Sequence, residues 1–123
     1  MIHQEITEGI INGAMRVHTA LGPGLLESAY EACLAYELRK QGLSVETQVP
    51  LPVIYEGVRL DVGYRIDLVV AEVVIVELKS VDAIAPIHKA QLLSYLKLSG
   101  RKVGLLLNFN VVHLRDGLIR MVH

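Results

Sequence analysis

Ile66-Asp67-Leu68-Val69-Val70-Ala71-Glu72-Val73-Val74-Ile75-Val76-Glu77-Leu78-Lys79 is the stretch that decides the architecture of this chain. Runs so rich in Val, Ile and Leu belong to strands covered on both faces. Three acids interrupt the run. Glu72 falls where a turn between two strands is expected and is solvated there. Asp67 and Glu77 have no such outlet, because an unpaired buried carboxylate is costly or shifts its pKa until it is neutral. A bound cation resolves the conflict. Alternation along a strand puts Glu77 and Lys79 on one face and Val76 and Leu78 on the other. An acid on one strand and acid-x-lysine on the next thus form a small polar cluster inside an apolar sheet.

Upstream, Ile6, Ile10, Ala14 and Val17 recur at helical spacing and predict a helix over about residues 5–21, stopped by Gly22-Pro23-Gly24. A second helix is expected over about 25–41, closed by Gly42. Leu26, Tyr30, Cys33 and Leu34 form its apolar stripe, with Glu27 on the flank, where it either reaches a polar pocket or simply answers the helix dipole. Strands follow at about 45–55, 58–70 and 73–79, the first an edge because of Pro50 and Pro52, with a tight turn at Glu56-Gly57. Pro86 opens a helix to about Leu98. On it His88, Gln91 and Tyr95 lie within about 60° of one another, with Leu92, Leu93 and Leu96 on the other face. A buried strand over about 102–109 and a terminal hairpin, 111–115 with 118–122 around Asp116-Gly117, complete the chain. The order predicts one α/β domain spanning residues 1–123, a mixed sheet flanked by helices.

Apolar residues make up 52% of the chain and the mean hydropathy is +0.42, yet no apolar stretch reaches membrane-spanning length. No basic segment followed by an apolar core opens the chain, so neither a signal peptide nor a membrane partner is expected. The excess apolar content points to a doubly covered sheet or a subunit interface, and a homodimer or larger assembly is expected. The single cysteine, Cys33, excludes an intrachain disulfide and fits the cytoplasm. A net charge of −1 supplies no bulk attraction to nucleic acid, so binding needs a local patch, for which Arg101, Lys102, Arg115 and Arg120 are candidates. His18 stands in no zinc-like spacing with His3 or His88.

Gly24-Leu25-Leu26-Glu27-Ser28-Ala29-Tyr30 reads G-x-x-E-x-x-Y and resembles the signature of the GxxExxY protein family. Val17-His18, Leu21-Gly22-Pro23-Gly24, Tyr64-Arg65-Ile66-Asp67 and Val76-Glu77-Leu78-Lys79 carry the same likeness, as do His88-Lys89-Ala90-Gln91, Tyr95-Leu96-Lys97 and the run from Gly104 to Phe109. That family resembles the PD-(D/E)xK nuclease superfamily, which implies a restriction-endonuclease-like core. The resemblance places the superfamily aspartate at Asp67 and its E-x-K at Glu77 and Lys79. Some members of that superfamily add a glutamate from the first helix, which Glu27 would fill, and a glutamine from the helix after the lysine strand, which Gln91 would fill. Ile66 stands where the name-giving proline would be, and Asn110 where a glycine is usual.

These residue types suit phosphodiester hydrolysis. Asp67 and Glu77, with Glu27 completing the set, offer hard oxygen ligands that favour Mg²⁺ or Mn²⁺. Such an ion would acidify a water and take a phosphate oxygen. Lys79 is the candidate to orient or deprotonate that water or to stabilise the transition state, with Gln91 and Tyr95 positioning water or phosphate. The expectation is a metal-dependent nuclease acting on nucleic acid, DNA in the first instance, and leaving a 5′-phosphate as the resemblance implies. Two rivals remain: a non-catalytic nucleic-acid-binding or assembly module, and a hydrolase using the two acids as an acid/base pair, which the adjacent lysine disfavours.

Overall fold

The run 66–79 folds as two antiparallel strands joined by a tight turn at Ala71 and Glu72, both with positive φ and Glu72 exposed to solvent. The computed structural model describes all residues 1–123. In chain order the elements are α1 (Gln4–Leu21), α2 (Glu27–Lys40), β1 (Val45–Pro50), β2 (Val53–Tyr55), β3 (Val58–Leu60), β4 (Arg65–Val70), β5 (Val74–Lys79), α3 (Pro86–Ser99), β6 (Val103–Asn108) and β7 (Leu118–Val122). A 3₁₀ turn, Leu114–Gly117, precedes β7.

Five strands form one mixed sheet in the order β1-β4-β5-β6-β7, in which only β5 and β6 are parallel. Parallel neighbours require a crossover, which α3 supplies. The sheet has an apolar core on each face. On one, Ile10, Ala14 and Val17 of α1 and Tyr30, Leu34 and Leu38 of α2 meet Leu68, Val70, Val74, Val76, Leu78, Leu105 and Leu107. On the other, Leu92, Tyr95 and Leu96 of α3 meet Ile66, Val69, Ile75 and Leu106. Double coverage is why β5 as far as Val76 and β6 as far as Leu107 read as apolar runs. Gly104 lets α3 come close, since a Cβ there would lie 2.8 Å from Leu92 Cδ1. No helix is long and apolar enough to cross a membrane.

Several expected boundaries move. The segment 45–55 divides at Pro50 and Pro52, and 58–70 divides at a turn through Gly63, which has φ +88°. The pieces β2 and β3 leave the main sheet as a separate two-stranded hairpin around Glu56-Gly57. β1 is an edge strand, as its prolines suggest. The terminal hairpin does not form. Residues 111–115 make no strand, and β7 pairs with β6 instead. Gly117 serves close approach rather than a hairpin turn, because a side chain there would collide with the Asn108 carbonyl. In α2 the buried stripe is Tyr30, Leu34, Ala35 and Leu38; Leu26 precedes the helix and is exposed, and Cys33 is only half-buried.

Candidate active site

β4 and β5 pair from Val70–Val74 to Leu68–Val76, and there the ladder stops. Beyond that point the two acids take over its hydrogen bonds. Asp67 N–H donates to Glu77 Oε2 at 2.7 Å, and Leu78 N–H donates to Asp67 Oδ2 at 2.8 Å. Each carboxylate thus stands in for a strand carbonyl on its neighbour, which keeps the splayed strands together and satisfies amides that would otherwise be orphaned. Alternation also breaks here: Ile66 packs towards α3, whereas Leu68 packs towards α1 and α2.

Glu77 is 4% exposed, and its second oxygen has no protein donor. Burial, with the neighbouring Asp67 charge next in weight, pushes its pKa up to about 8; the Asp67 N–H and the Lys79 charge oppose this, and Glu27 adds to it. Lys79, on the α3 face, donates to Gln91 Oε1 at 3.4 Å, and Gln91 Nε2 donates to the Tyr95 hydroxyl at 3.2 Å. The only ion pairs within 4.0 Å in the molecule are Lys40–Glu37 and Arg65–Asp61, so Lys79 neutralises neither acid directly. Tyr95 is buried, and that burial, followed by the Glu77 charge, raises its pKa and keeps it a phenol donor.

Glu27 approaches from the other face. Its Oε2 accepts from Ser80 N–H at 3.2 Å, immediately after Lys79, while Ser80 Oγ donates to Leu25 O at 2.7 Å. Tyr30 anchors the turn before α2: its hydroxyl donates to Gly22 O at 2.6 Å and accepts from Leu25 N–H at 3.1 Å, and its ring stacks on Phe109 at 4.4 Å. The G-x-x-E-x-x-Y residues therefore tie the start of α2 to the end of the lysine strand. From the far side, Asn108 holds the following loop by bonding both N–H and C=O of Val81 at 3.1 and 2.9 Å.

Two residues join the site that sequence reasoning missed. Gln48 of β1 donates to Glu31 Oε1 at 2.5 Å and to Asp67 Oδ1 at 3.3 Å. Its φ of +52° is strained for a non-glycine residue and falls opposite Asp67, where the β1–β4 ladder is interrupted. Glu31 lies one helical turn beyond Glu27, and burial, with the Asp67 charge behind it, raises its pKa against the Gln48 hydrogen bond. Glu27, Glu31, Gln48 and Asp67 line a cleft of 380 Å³. The four-residue spacing of the two glutamates was a readable signal; nothing in the sequence marks Gln48.

The residues fit a divalent ion at Asp67 and Glu77. The donors are hard oxygens, and Glu77 is an acid whose pKa is raised by burial and then by the Asp67 charge, a rise that a cation beside it would oppose. No three His, Cys, Asp or Glu side chains converge closely enough to hold a metal together. Glu27 lines the same cleft as Asp67, with its Oε2 engaged by Ser80 N–H. Two carboxylates suffice for Mg²⁺, which commonly takes one or two and fills its sphere with water and substrate phosphate.

The other sequence candidates are spent elsewhere. Arg101 bonds Glu72 O at 3.1 Å, next to the start of β5, at the end of the sheet remote from Lys79. Arg120 bonds Ile2 O at 2.9 Å. His18 bonds Val111 O at 2.8 Å as a buried structural residue. His88 Nδ1 accepts Ala85 N–H at 2.9 Å at the start of α3.

A mixed five-stranded sheet with helices on both faces, bearing an aspartate on one central strand and E-x-K on the next, is the restriction-endonuclease-like architecture. The family model of the PD-(D/E)XK nuclease superfamily matches residues 4–121, and the chain belongs to that superfamily. No curated protein and no solved structure matches it.

Proposed function

We propose that the protein is a nuclease hydrolysing DNA phosphodiesters with Mg²⁺ or Mn²⁺ held at Asp67 and Glu77. The observation that supports this reading is the splayed end of β4 and β5, where two carboxylates meet between the strands and a lysine beside them is free of any ion pair. Glu27, Glu31, Asp67 and Glu77 crowd one region, and a polyanion cannot approach four acids without a counter-charge. A divalent ion held by Asp67 and Glu77 would supply that charge and the Lewis acidity that phosphodiester hydrolysis needs. The chain's own residues do the rest. Lys79 presents an ammonium to the charge that develops on phosphate. Gln91 accepts from Lys79 and donates to Tyr95, fixing the direction of the ammonium. Glu27 holds Ser80 and with it the end of the lysine strand.

Asp67→Ala is expected to lose Mn²⁺ binding and cleavage together while remaining folded, since the hydrogen bonds it loses to Leu78 N–H and Gln48 are offset by relief of the charge beside Glu77. Calorimetry showing wild-type Mn²⁺ affinity in Asp67→Ala would remove the site. A second reading draws on the absence of a three-acid cluster and on Glu27 being engaged structurally. It is a nucleic-acid-binding module without turnover, and binding of labelled DNA with no product in either metal would select it.

The protein is further proposed to be cytoplasmic and to self-associate. β1 leaves one sheet edge open, and Ile54, Tyr55, Val58 and Leu60 of the adjoining hairpin are exposed. Light scattering should return a dimer mass in the tens of micromolar, roughly the range where modest interfaces assemble; a monomer there would refute it.

A further inference from the structure

Beside the catalytic lysine, on the α3 side of the sheet, lies a second cleft of 480 Å³. Tyr64, Lys79, Ile87, His88, Gln91 and Tyr95 line it. Two of its walls are apolar groups left to water: Tyr64 is 46% and Ile87 70% exposed. The Tyr64 ring has one aromatic neighbour, Tyr95, at 6.0 Å between centroids and tilted by 52°, and nearly half of Tyr64 remains open to water. Polar groups line the same cleft. Because His88 Nδ1 accepts the Ala85 N–H, the neutral ring carries its proton on Nε2 and has that donor to offer. Gln91 adds an amide.

An aromatic ring, an aliphatic wall and a few hydrogen-bonding groups in one cleft are what a nucleobase requires. Lys79 belongs both to this cleft and to the phosphate-handling site, and a base hangs within one sugar of its phosphate. A base inside a duplex has both faces stacked and its edge paired, so it cannot enter. Resting on the nuclease reading above, we infer that the cleft takes an unpaired nucleobase of the cleaved strand, which makes single-stranded DNA or an unpaired end the substrate, in preference to continuous duplex.

The test is fluorescence anisotropy of the whole protein at one salt concentration, with Ca²⁺ in place of Mg²⁺ and the probe shown intact afterwards. The probes are a labelled single-stranded oligonucleotide and a blunt duplex of the same sequence. The wild type should bind the single strand more tightly. Tyr64→Ala should weaken single-strand binding by roughly 5- to 150-fold, the range for loss of one stacked base, with duplex binding unchanged. Tyr64→Phe should restore it, and Ile87→Ala should reproduce the Tyr64→Ala selectivity more weakly. Duplex binding equal to or tighter than single-strand binding, or a Tyr64→Ala loss shared by both probes, overturns the inference while leaving a DNA-binding protein. Wild type that binds neither probe overturns the nuclease reading and the inference with it.

Discussion

Lys79→Ala is expected to keep its fold, its Mn²⁺ affinity and its DNA affinity, and to lose roughly 10²–10³ in kcat, the worth of one electrostatic donor at a developing charge. Loss of a contact made only in the transition state lowers kcat and kcat/KM together. The competing role for this lysine is to neutralise Asp67 and Glu77 as a buried ion pair. Removing such a partner costs on the order of 3–5 kcal/mol, and added metal should then restore both stability and cleavage. The geometry separates the two roles: Lys79 Nζ points to Gln91 at 3.4 Å, and neither carboxylate lies within ion-pair distance. Melting temperature and cleavage measured on the same variant decide the matter. A destabilised Lys79→Ala whose stability and cleavage both return at high Mg²⁺ would make the lysine structural.

Glu77 makes the metal-free protein less stable as the pH rises. Its carboxyl titrates near 8 in the folded chain against 4.5 when free of its surroundings. The folded state therefore binds the proton more tightly than the unfolded state does. Stability from this group is complete below about pH 4.5 and is lost as the pH climbs through 8, by an amount on the order of 5 kcal/mol. Glu77→Gln keeps the shape without the proton equilibrium, so its denaturation midpoint should change far less over that window and exceed the wild type at pH 8. Mg²⁺ should raise the wild-type midpoint at pH 8, where it replaces the missing proton with positive charge, and leave Glu77→Gln nearly unmoved. A wild-type midpoint that is flat from pH 5 to 8 would contradict this account, as would parallel curves for the two proteins.

The core of the architecture was legible because burial on both faces writes itself into composition. β5 and β6 could be read as central strands from their Val, Ile and Leu alone, and Pro86 and Gly100 bracket α3 as their backbone preferences require. Asp67, Glu77 and Lys79 were conspicuous for the same reason, as charges inside such strands. The structure adds what the side chains do there: each acid completes the other strand's hydrogen bonds. Edges were read less well. β7 lies half-buried on the sheet margin, and its segment resembled half of a hairpin because Asp116-Gly117 is a common turn pair. What keeps Gly117 small is the Asn108 backbone, nine residues away in the chain, and no local pattern reports such an approach.

By itself the sequence determined which strands are central, which charges sit within them, and that the helix after Pro86 presents Gln91 and Tyr95 together, because periodicity and burial are local properties of the chain. Only the tertiary structure decided that Gln48 bridges Glu31 and Asp67, that Glu27 holds Ser80, that Lys79 stands clear of both acids, and that Tyr64 opens a cleft beside it. Those relations depend on strand register and on the packing of segments 12 to 53 residues apart, whose side chains meet only when the sheet has formed.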